Sequence, residues 1–333
     1  MNPGFISTVF NIKSQEEFRK IALEVFRYQA FANPVYREFT ECLGIDPARV
    51  DDLTKIPFLP VSMFRNHRVI SGNREEELCF ESSGTTGQAV SRHYICDRSV
   101  YEESFLRGFR YFYGEPSGYL ITALLPSYTE RKNSSLVYMM NSLIRQSGDS
   151  RSGFYRDNNG ELLSCLAGAA AEGKKSMLVG VSFALLDLAA DMEADLSQTI
   201  VVETGGMKGR RKEITRSELH EILIQRFNLG SVHSEYGMTE LLSQAWSKGN
   251  GIFNTPPWMK IIIRDPQDPL TIMDESGRTG GINIIDLANI YSCSFLSTGD
   301  LGRVKSDGSF EVSGRFDESD IRGCNLLAVS ASP

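Results

Sequence analysis

Ser82-Ser83-Gly84-Thr85-Thr86-Gly87 decides how this chain is read. It follows Leu78-Cys79-Phe80-Glu81, which has the composition of a strand ending. Glycines let a backbone approach an anion closely. Exposed N–H groups and hydroxyls can then surround phosphate oxygens. No Gly-Lys-Ser/Thr closes the segment, so it is not a Walker A loop. Alone, the composition fits an ordinary Ser/Gly/Thr turn as well as a phosphate cradle. What lies downstream decides between the two.

The bulk properties narrow the class. The chain has 333 residues, enough for one large or two fused layered bodies. Hydrophobic residues at 41% and charged residues at 23% are ordinary for a soluble globular protein. The 35 basic against 42 acidic residues give −7, which argues against nucleic acid or an anionic membrane as the main partner. No apolar run approaches the roughly 18 residues of a membrane span. The N-terminus lacks the basic-then-apolar order of a signal peptide. Six scattered cysteines form no CxxC pair, which disfavours structural zinc. Reduced thiols in a cytoplasmic protein are the expectation.

Periodicity predicts alternating strands and helices. Ser14-Gln15-Glu16-Glu17 is a capping-box pattern opening a helix to about Ala30. Pro34 interrupts it, and Tyr36–Leu43 suits another helix. Ile56-Pro57-Phe58-Leu59-Pro60 reads as extended, because each proline disfavours helix in the residue before it. Short apolar runs at Tyr119–Leu125, Ser176–Val181 and Thr199–Val202 fit buried parallel strands. Helical patterns follow or separate them at Ser99–Phe112, Leu136–Ile144, Phe183–Met192 and from Thr215, with Gly230 as the expected C-cap. From Lys260 the segments are short and turn-punctuated, and Asp307-Gly308 signals a hairpin. The expectation is α/β: a layered body over 1–259, a small β-rich subdomain over 260–313 packed on it, and a tail over 314–333.

Four further segments join the cradle: Glu203-Thr204-Gly205-Gly206, Ser234-Glu235-Tyr236-Gly237-Met238-Thr239-Glu240, Ser297-Thr298-Gly299-Asp300 and Gly314-Arg315-Phe316-Asp317. The first two end predicted strands, and carboxyl ends of parallel strands are where open α/β sheets bind ligands. In order and spacing the five motifs resemble the adenylate-forming superfamily of acyl-CoA synthetases, peptide-synthetase adenylation domains and firefly luciferase. The resemblance runs from about residue 78 to 317.

It implies the fold of that superfamily's N-terminal domain, with ATP and Mg²⁺ as cofactors. Ser83, Gly84, Thr85, Thr86 and Gly87 would hold the β- and γ-phosphates. Gly205 and Gly206 would pass close to the adenine, and Tyr236 would stack on it. Thr239 would bond the α-phosphate and Glu240 would hold Mg²⁺. Asp300 and Arg315 would bind the ribose, and Asp317 matches a hinge position. The implied reaction is carboxylate attack on the α-phosphorus, giving an acyl-adenylate and pyrophosphate.

Two departures stand out. Gln88-Ala89-Val90-Ser91-Arg92 replaces the usual Pro-Lys-Gly, and Arg92 is the candidate replacement cation. The sequence ends 16 residues after Asp317, too few for the superfamily's full C-terminal domain. Phe26-Arg27-Tyr28-Gln29, Asn33-Pro34-Val35-Tyr36, Ile56–Phe64 and Pro126–Val137 resemble the acyl-protein synthetase (LuxE-like) family. That likeness implies a fatty acid substrate, transfer to a cysteine of the same protein, and a reductase partner that accepts the acyl group. Cys324, nine residues from the end, matches the acylated position. Beside Leu326-Leu327 it also suits a buried apolar cysteine; nearby Arg322 would favour thiolate. An acyl-CoA ligase of the phenylacetate type and a non-catalytic nucleotide-binding homologue are the rival readings. His93 is read as packed or exposed rather than as a base, and His233 as structural or as lining an acyl pocket.

Overall fold

A computed structural model describes residues 3–82, 90–126, 132–156, 158–205, 214–273 and 277–316. Its helices are α1 (Pro3–Phe10), α2 (Gln15–Ala32), α3 (Pro34–Cys42), α4 (Arg98–Tyr113), α5 (Ser135–Ser147), α6 (Asn159–Ala171), α7 (Ser182–Asp191) and α8 (Arg216–Phe227). Its strands are β1 (Leu59–Pro60), β2 (Leu78–Glu81), β3 (Arg92–Ile95), β4 (Tyr119–Leu124), β5 (Gly153–Phe154), β6 (Lys175–Val181) and β7 (Thr199–Thr204). They continue as β8 (His233–Tyr236), β9 (Ala245–Ser247), β10 (Ile252–Asn254), β11 (Met259–Arg264), β12 (Gly280–Asp286), β13 (Phe295–Val304) and β14 (Phe310–Arg315).

One mixed sheet carries the architecture. Its order is β11-β12-β13-β14-β10-β9-β8-β7-β6-β4-β5, with β1 added parallel to β13. From β8 to β5 the strands are parallel; beyond β8 they alternate. β4 is buried along its whole length and β6 beyond Lys175, as parallel strands covered on both faces must be. One face packs α6, α7 and α8 through Leu162, Leu166, Leu185, Leu219, Leu223 and Phe227. The other packs α2, α4 and α5 through Phe18, Phe26, Phe105, Phe109, Met139 and Met140. Met139 and Met140 are thus core. The expected β-rich subdomain does not form a separate layer. β10 pairs with β14, so its strands are hydrogen-bonded edge to edge into the same sheet.

Local chemistry explains the helix ends. Ser14 accepts from the Glu17 amide (3.1 Å) while the Glu17 carboxylate accepts from the Lys13 amide (2.7 Å). Asn33 serves two helices: its amide closes α2 on the Gln29 carbonyl, and its Oδ1 accepts from the Val35 and Tyr36 amides to open α3. Thr215 and Glu218 form a full capping box on α8. That helix ends at Asn228 in the left-handed region (φ 53°), two residues before the expected Gly230, because asparagine tolerates that conformation. α6 and the short β5, β9 and β10 were not expected. The Gly- and Ala-rich α6 has no clear apolar stripe.

Helix α2 is tied to the loop between β12 and β13 by buried amides. Gln29 Nε2 donates to the Asn289 and Ile290 carbonyls (3.0 Å each), and Gln29 Oε1 accepts from the Ser294 amide (2.9 Å). One helical turn on, Asn33 Nδ2 donates to the Ser292 carbonyl (3.0 Å). No helix of the described residues is long and apolar enough to cross a membrane. Gln29→Leu removes bonds that these buried backbone groups cannot replace, each orphan costing about 1–3 kcal/mol. A loss of about 3 kcal/mol or more in urea unfolding is expected, against under 1 kcal/mol for Gln15→Leu on the exposed start of the same helix.

Candidate functional site

The parallel strands β7 and β8 end at one edge of the sheet, and the chain leaves them through Gly205 and Gly237. Gly205 has φ +68°, a region that penalises any Cβ. Its carbonyl accepts from Ser182 Oγ (2.5 Å) at the start of α7. Gly237 meets a different constraint: a Cβ there would lie 2.4 Å from Glu235 Oε1. The Glu235 carboxyl folds over the glycine and accepts from Thr204 Oγ1.

In the other half of the sheet, antiparallel pairing sets Asp300 of β13 opposite Arg315 of β14. Arg315 Nε lies 3.2 Å from Asp300 Oδ1, and Tyr236 Oη donates to Asp300 Oδ2 (2.7 Å). Burial, then the Asp300 charge, pushes the Tyr236 phenol well above its usual range, so it stays a donor. The Tyr236 ring packs against Phe253 and Phe310, centroids 5.9 and 5.6 Å away. The Thr298–Asp300 segment, whose composition suits a turn, lies inside β13. Buried Arg264 holds it there, donating to the Thr298 carbonyl (2.6 Å), the Ile282 carbonyl (2.8 Å) and Asn283 Oδ1 (2.9 Å). Gly314 and Arg315, expected in the tail, belong to β14.

Glu240 follows β8 and is buried. The cradle residues Ser83, Gly84, Thr85, Thr86 and Gly87 lie outside the described residues, but both ends of the loop are placed. Ser82 N donates to the Ser91 carbonyl and Ser91 N to Ser82 Oγ, 3.0 Å each. Burial raises the pKa of Glu240, opposed by the Ser91 hydroxyl and the charges of Arg65 and Arg315. Ser91, just after the cradle, and Arg315 therefore both act on one carboxyl. A lone buried carboxylate that shares a cation with substrate phosphates suits Mg²⁺ better than a protein cage would. No group of three potential ligands exists among the described residues.

The structure gives Arg92 another partner. Its Nε lies 3.1 Å from Glu81 Oε1, its cross-strand neighbour, and Glu81 also accepts from Asn133 Nδ2 (3.3 Å). The candidate replacement cation thus already has a carboxylate. Gly206, Asp317 and Cys324 lie outside the described residues; the described cysteines 42, 79, 96, 165 and 293 are all free.

Several site neighbours were not foreseen. His93 is packed, as one of the two readings held, but its Nδ1 lies 2.8 Å from the Thr239 carbonyl. Burial pushes its pKa down to about 4, against the pull of that carbonyl and of the Asn289 side chain. His233 contacts Tyr113 Oη (3.1 Å). Burial, aided by Lys248, likewise lowers its pKa to about 4. Arg216 spans the two halves of the sheet, its Nε 3.0 Å from Glu203 Oε1 and its Nη1 donating to the Val312 carbonyl (3.3 Å). Burial opposes ionisation of Glu203, yet its pKa is lowered, because His220, Arg216 and Ser234 together outweigh that cost. These contacts join residues far apart in sequence, and no local pattern announces them.

Glu235 is the carboxyl most displaced from ordinary behaviour. Burial raises its pKa to about 7, opposed by Thr204 and reinforced by Glu203. A carboxyl raised in the folded state takes up a proton on folding. It therefore costs stability increasingly as pH climbs from about 4.5 to 7, and by a constant amount above that. Glu235→Gln should stabilise the protein by about 2 kcal/mol at pH 8 and by almost nothing at pH 4. Thermal unfolding at the two pH values checks this; equal effects would place the carboxyl in an ordinary environment.

No protein-family model matches the chain, and no curated protein does. Solved structures do. ATP-bound MatB from Rhodopseudomonas palustris is 18% identical at a TM-score of 0.52, covering 71% of this chain and 47% of its own. The ATP-bound RpMatB-BxBclM chimera B1 is 18% identical at 0.54, with the same coverage. The long-chain-fatty-acid-CoA ligase FadD1 from Archaeoglobus fulgidus is 16% identical at 0.51, covering 74% of this chain and 53% of its own. The chain spans about half the length of these structures. Over that part the chain shares their fold.

Proposed function

We propose that this protein activates a carboxylic acid with ATP and Mg²⁺, releasing pyrophosphate and forming an acyl-adenylate. The observation that carries the reading is the convergence on Glu240. The Ser91 hydroxyl bonds its carboxyl, and the charge of Arg315, which is paired with Asp300 and through it with Tyr236, acts on it as well. In this reading the cradle holds the departing phosphates, Thr239 bonds the α-phosphate, and Asp300 with Arg315 accepts the ribose. Tyr236 keeps Asp300 oriented while its ring borders the adenine, with Gly205 and Gly206 on the other flank. Mg²⁺, held by Glu240, would neutralise charge building on the phosphates. The acid's carboxylate oxygen attacks the α-phosphorus as the bond to the β-phosphate oxygen breaks. Preorganised donors around that phosphorus supply the main stabilisation.

For the acid we infer a fatty acid, and for the acceptor Cys324, whose thiolate would displace AMP before transfer to a reductase partner. This rests on the acyl-protein synthetase resemblance of Phe26–Tyr36, Ile56–Phe64 and Pro126–Val137. Release as acyl-CoA is the competing outcome, as in the CoA ligase sharing the fold.

ATP–pyrophosphate exchange over a panel of carboxylic acids tests the activation step, and no exchange with any acid overturns it. Asp300→Ala removes a charged hydrogen-bond acceptor, so KM for ATP should rise about tenfold or more. Cys324→Ser should keep exchange but lose the acyl label that survives denaturing gel separation. A retained label, or CoA-dependent product from the isolated chain, rejects the cysteine route.

A further inference from the structure

Two buried side chains reach the Thr239-Glu240 segment from separate elements. His93 Nδ1 lies 2.8 Å from the Thr239 carbonyl oxygen. A carbonyl only accepts, so Nδ1 carries the proton. Asn289 Nδ2 donates to the next carbonyl, that of Glu240, at 2.7 Å. His93 belongs to β3, the strand that leaves the cradle. Asn289 lies in the loop between β12 and β13 that Gln29 grips through the Asn289 carbonyl.

These assignments leave two acceptors facing inward. With the proton on Nδ1, His93 Nε2 is an acceptor, and Asn289 Oδ1 is another. Both are buried and near enough for Asn289 to act on the ring, yet two acceptors cannot satisfy each other, and neither has a donor among the described residues. Leaving one such group unsatisfied costs about 1–3 kcal/mol. Both residues line a cavity of about 10 Å³, walled also by Leu242, Tyr291 and Ser292. That is close to the room one buried water needs. A water carries two O–H donors, the groups these two acceptors lack.

We propose that one ordered water in this cavity donates to His93 Nε2 and Asn289 Oδ1, completing a strut that fixes the Thr239 and Glu240 carbonyls. His93 and Asn289 are then positioning residues, coupling the strand behind the cradle to the segment that binds phosphate and metal. The functional half of this inference rests on the roles proposed above for Thr239 and Glu240; the water and the tautomer do not.

Nitrogen-15 NMR of the whole chain reads the tautomer directly. A neutral Nδ1–H ring at His93 is expected, and an Nε2–H ring overturns the strut. A crystal structure at atomic resolution should show a water within hydrogen-bond reach of both atoms; a cavity without one overturns it equally. Function is tested by the Mg²⁺ dependence of pyrophosphate exchange. His93→Phe should raise the Mg²⁺ needed for half-maximal rate about tenfold, the usual scale for residues that orient a metal ligand. His93→Asn, which keeps a donor where Nδ1 stood, should stay within about twofold of the parent. Equal loss in both variants at equal melting temperature means that the ring only fills space, and rejects the positioning role. Wild-type protein without exchange, but with the Nδ1–H ring and the water in place, would reject the adenylation reading and leave the strut standing.

Discussion

Everything in the candidate site depends on a narrow splice in the sheet. The parallel strands that supply Tyr236 and Gly205 belong to one half; Asp300 and Arg315 belong to the other. The halves meet where β10 pairs with β14, with only Ile252 opposite Glu311 and Phe253 opposite Phe310 in register. Two paired positions are a slender junction, and side chains reinforce it. Phe253 and Phe310 pack together at 5.4 Å and both touch the Tyr236 ring. Arg216 lies over Phe253 and reaches Glu203 on one half and Val312 on the other. The seam and the proposed nucleotide site thus share residues, so what stabilises one orders the other.

The site is rich in carboxyls, and their surroundings separate them. Glu203 has two basic neighbours and is held ionised. Glu235 has no basic partner among the described residues, and burial raises its pKa to about 7. Asp286 is fully buried and accepts from the Leu242 and Ser243 amides and from Ser243 Oγ. It has no catalytic geometry; it shapes the turn that follows Glu240. Burial alone therefore does not mark a functional acid here. What distinguishes Glu240 is the company it keeps: the cradle root, two arginines and a backbone held from behind.

Much of this fold could be read along the chain, because parallel strands and amphipathic helices are local patterns. The buried runs at 119–125, 176–181 and 199–202 and the helix starts at Ser14 and Thr215 needed no tertiary knowledge. What stayed hidden was long-range. Thr298-Gly299-Asp300 has turn composition, and its pairing with β12 and β14, with Arg264 reaching over from β11, keeps it extended. Arg92 looked like a spare cation until its cross-strand partner was known. His93, Asn289 and Arg216 act through contacts 146, 49 and 96 residues away along the chain. The β-rich subdomain was expected, but its junction with the body through β10 and β14 was not, since pairing partners cannot be assigned from turn signals.

The clasp between α2 and the loop that follows β12 has a consequence for how the molecule tolerates shortening. Gln29 and Asn33 contribute nothing directly to the cleft, yet they anchor the loop whose Asn289 supports Glu240. A truncated form starting beyond α3 would retain every residue proposed for nucleotide binding and still lose the scaffold behind the proposed metal ligand. The opening helices therefore act as a remote buttress, and they belong to the smallest unit able to bind.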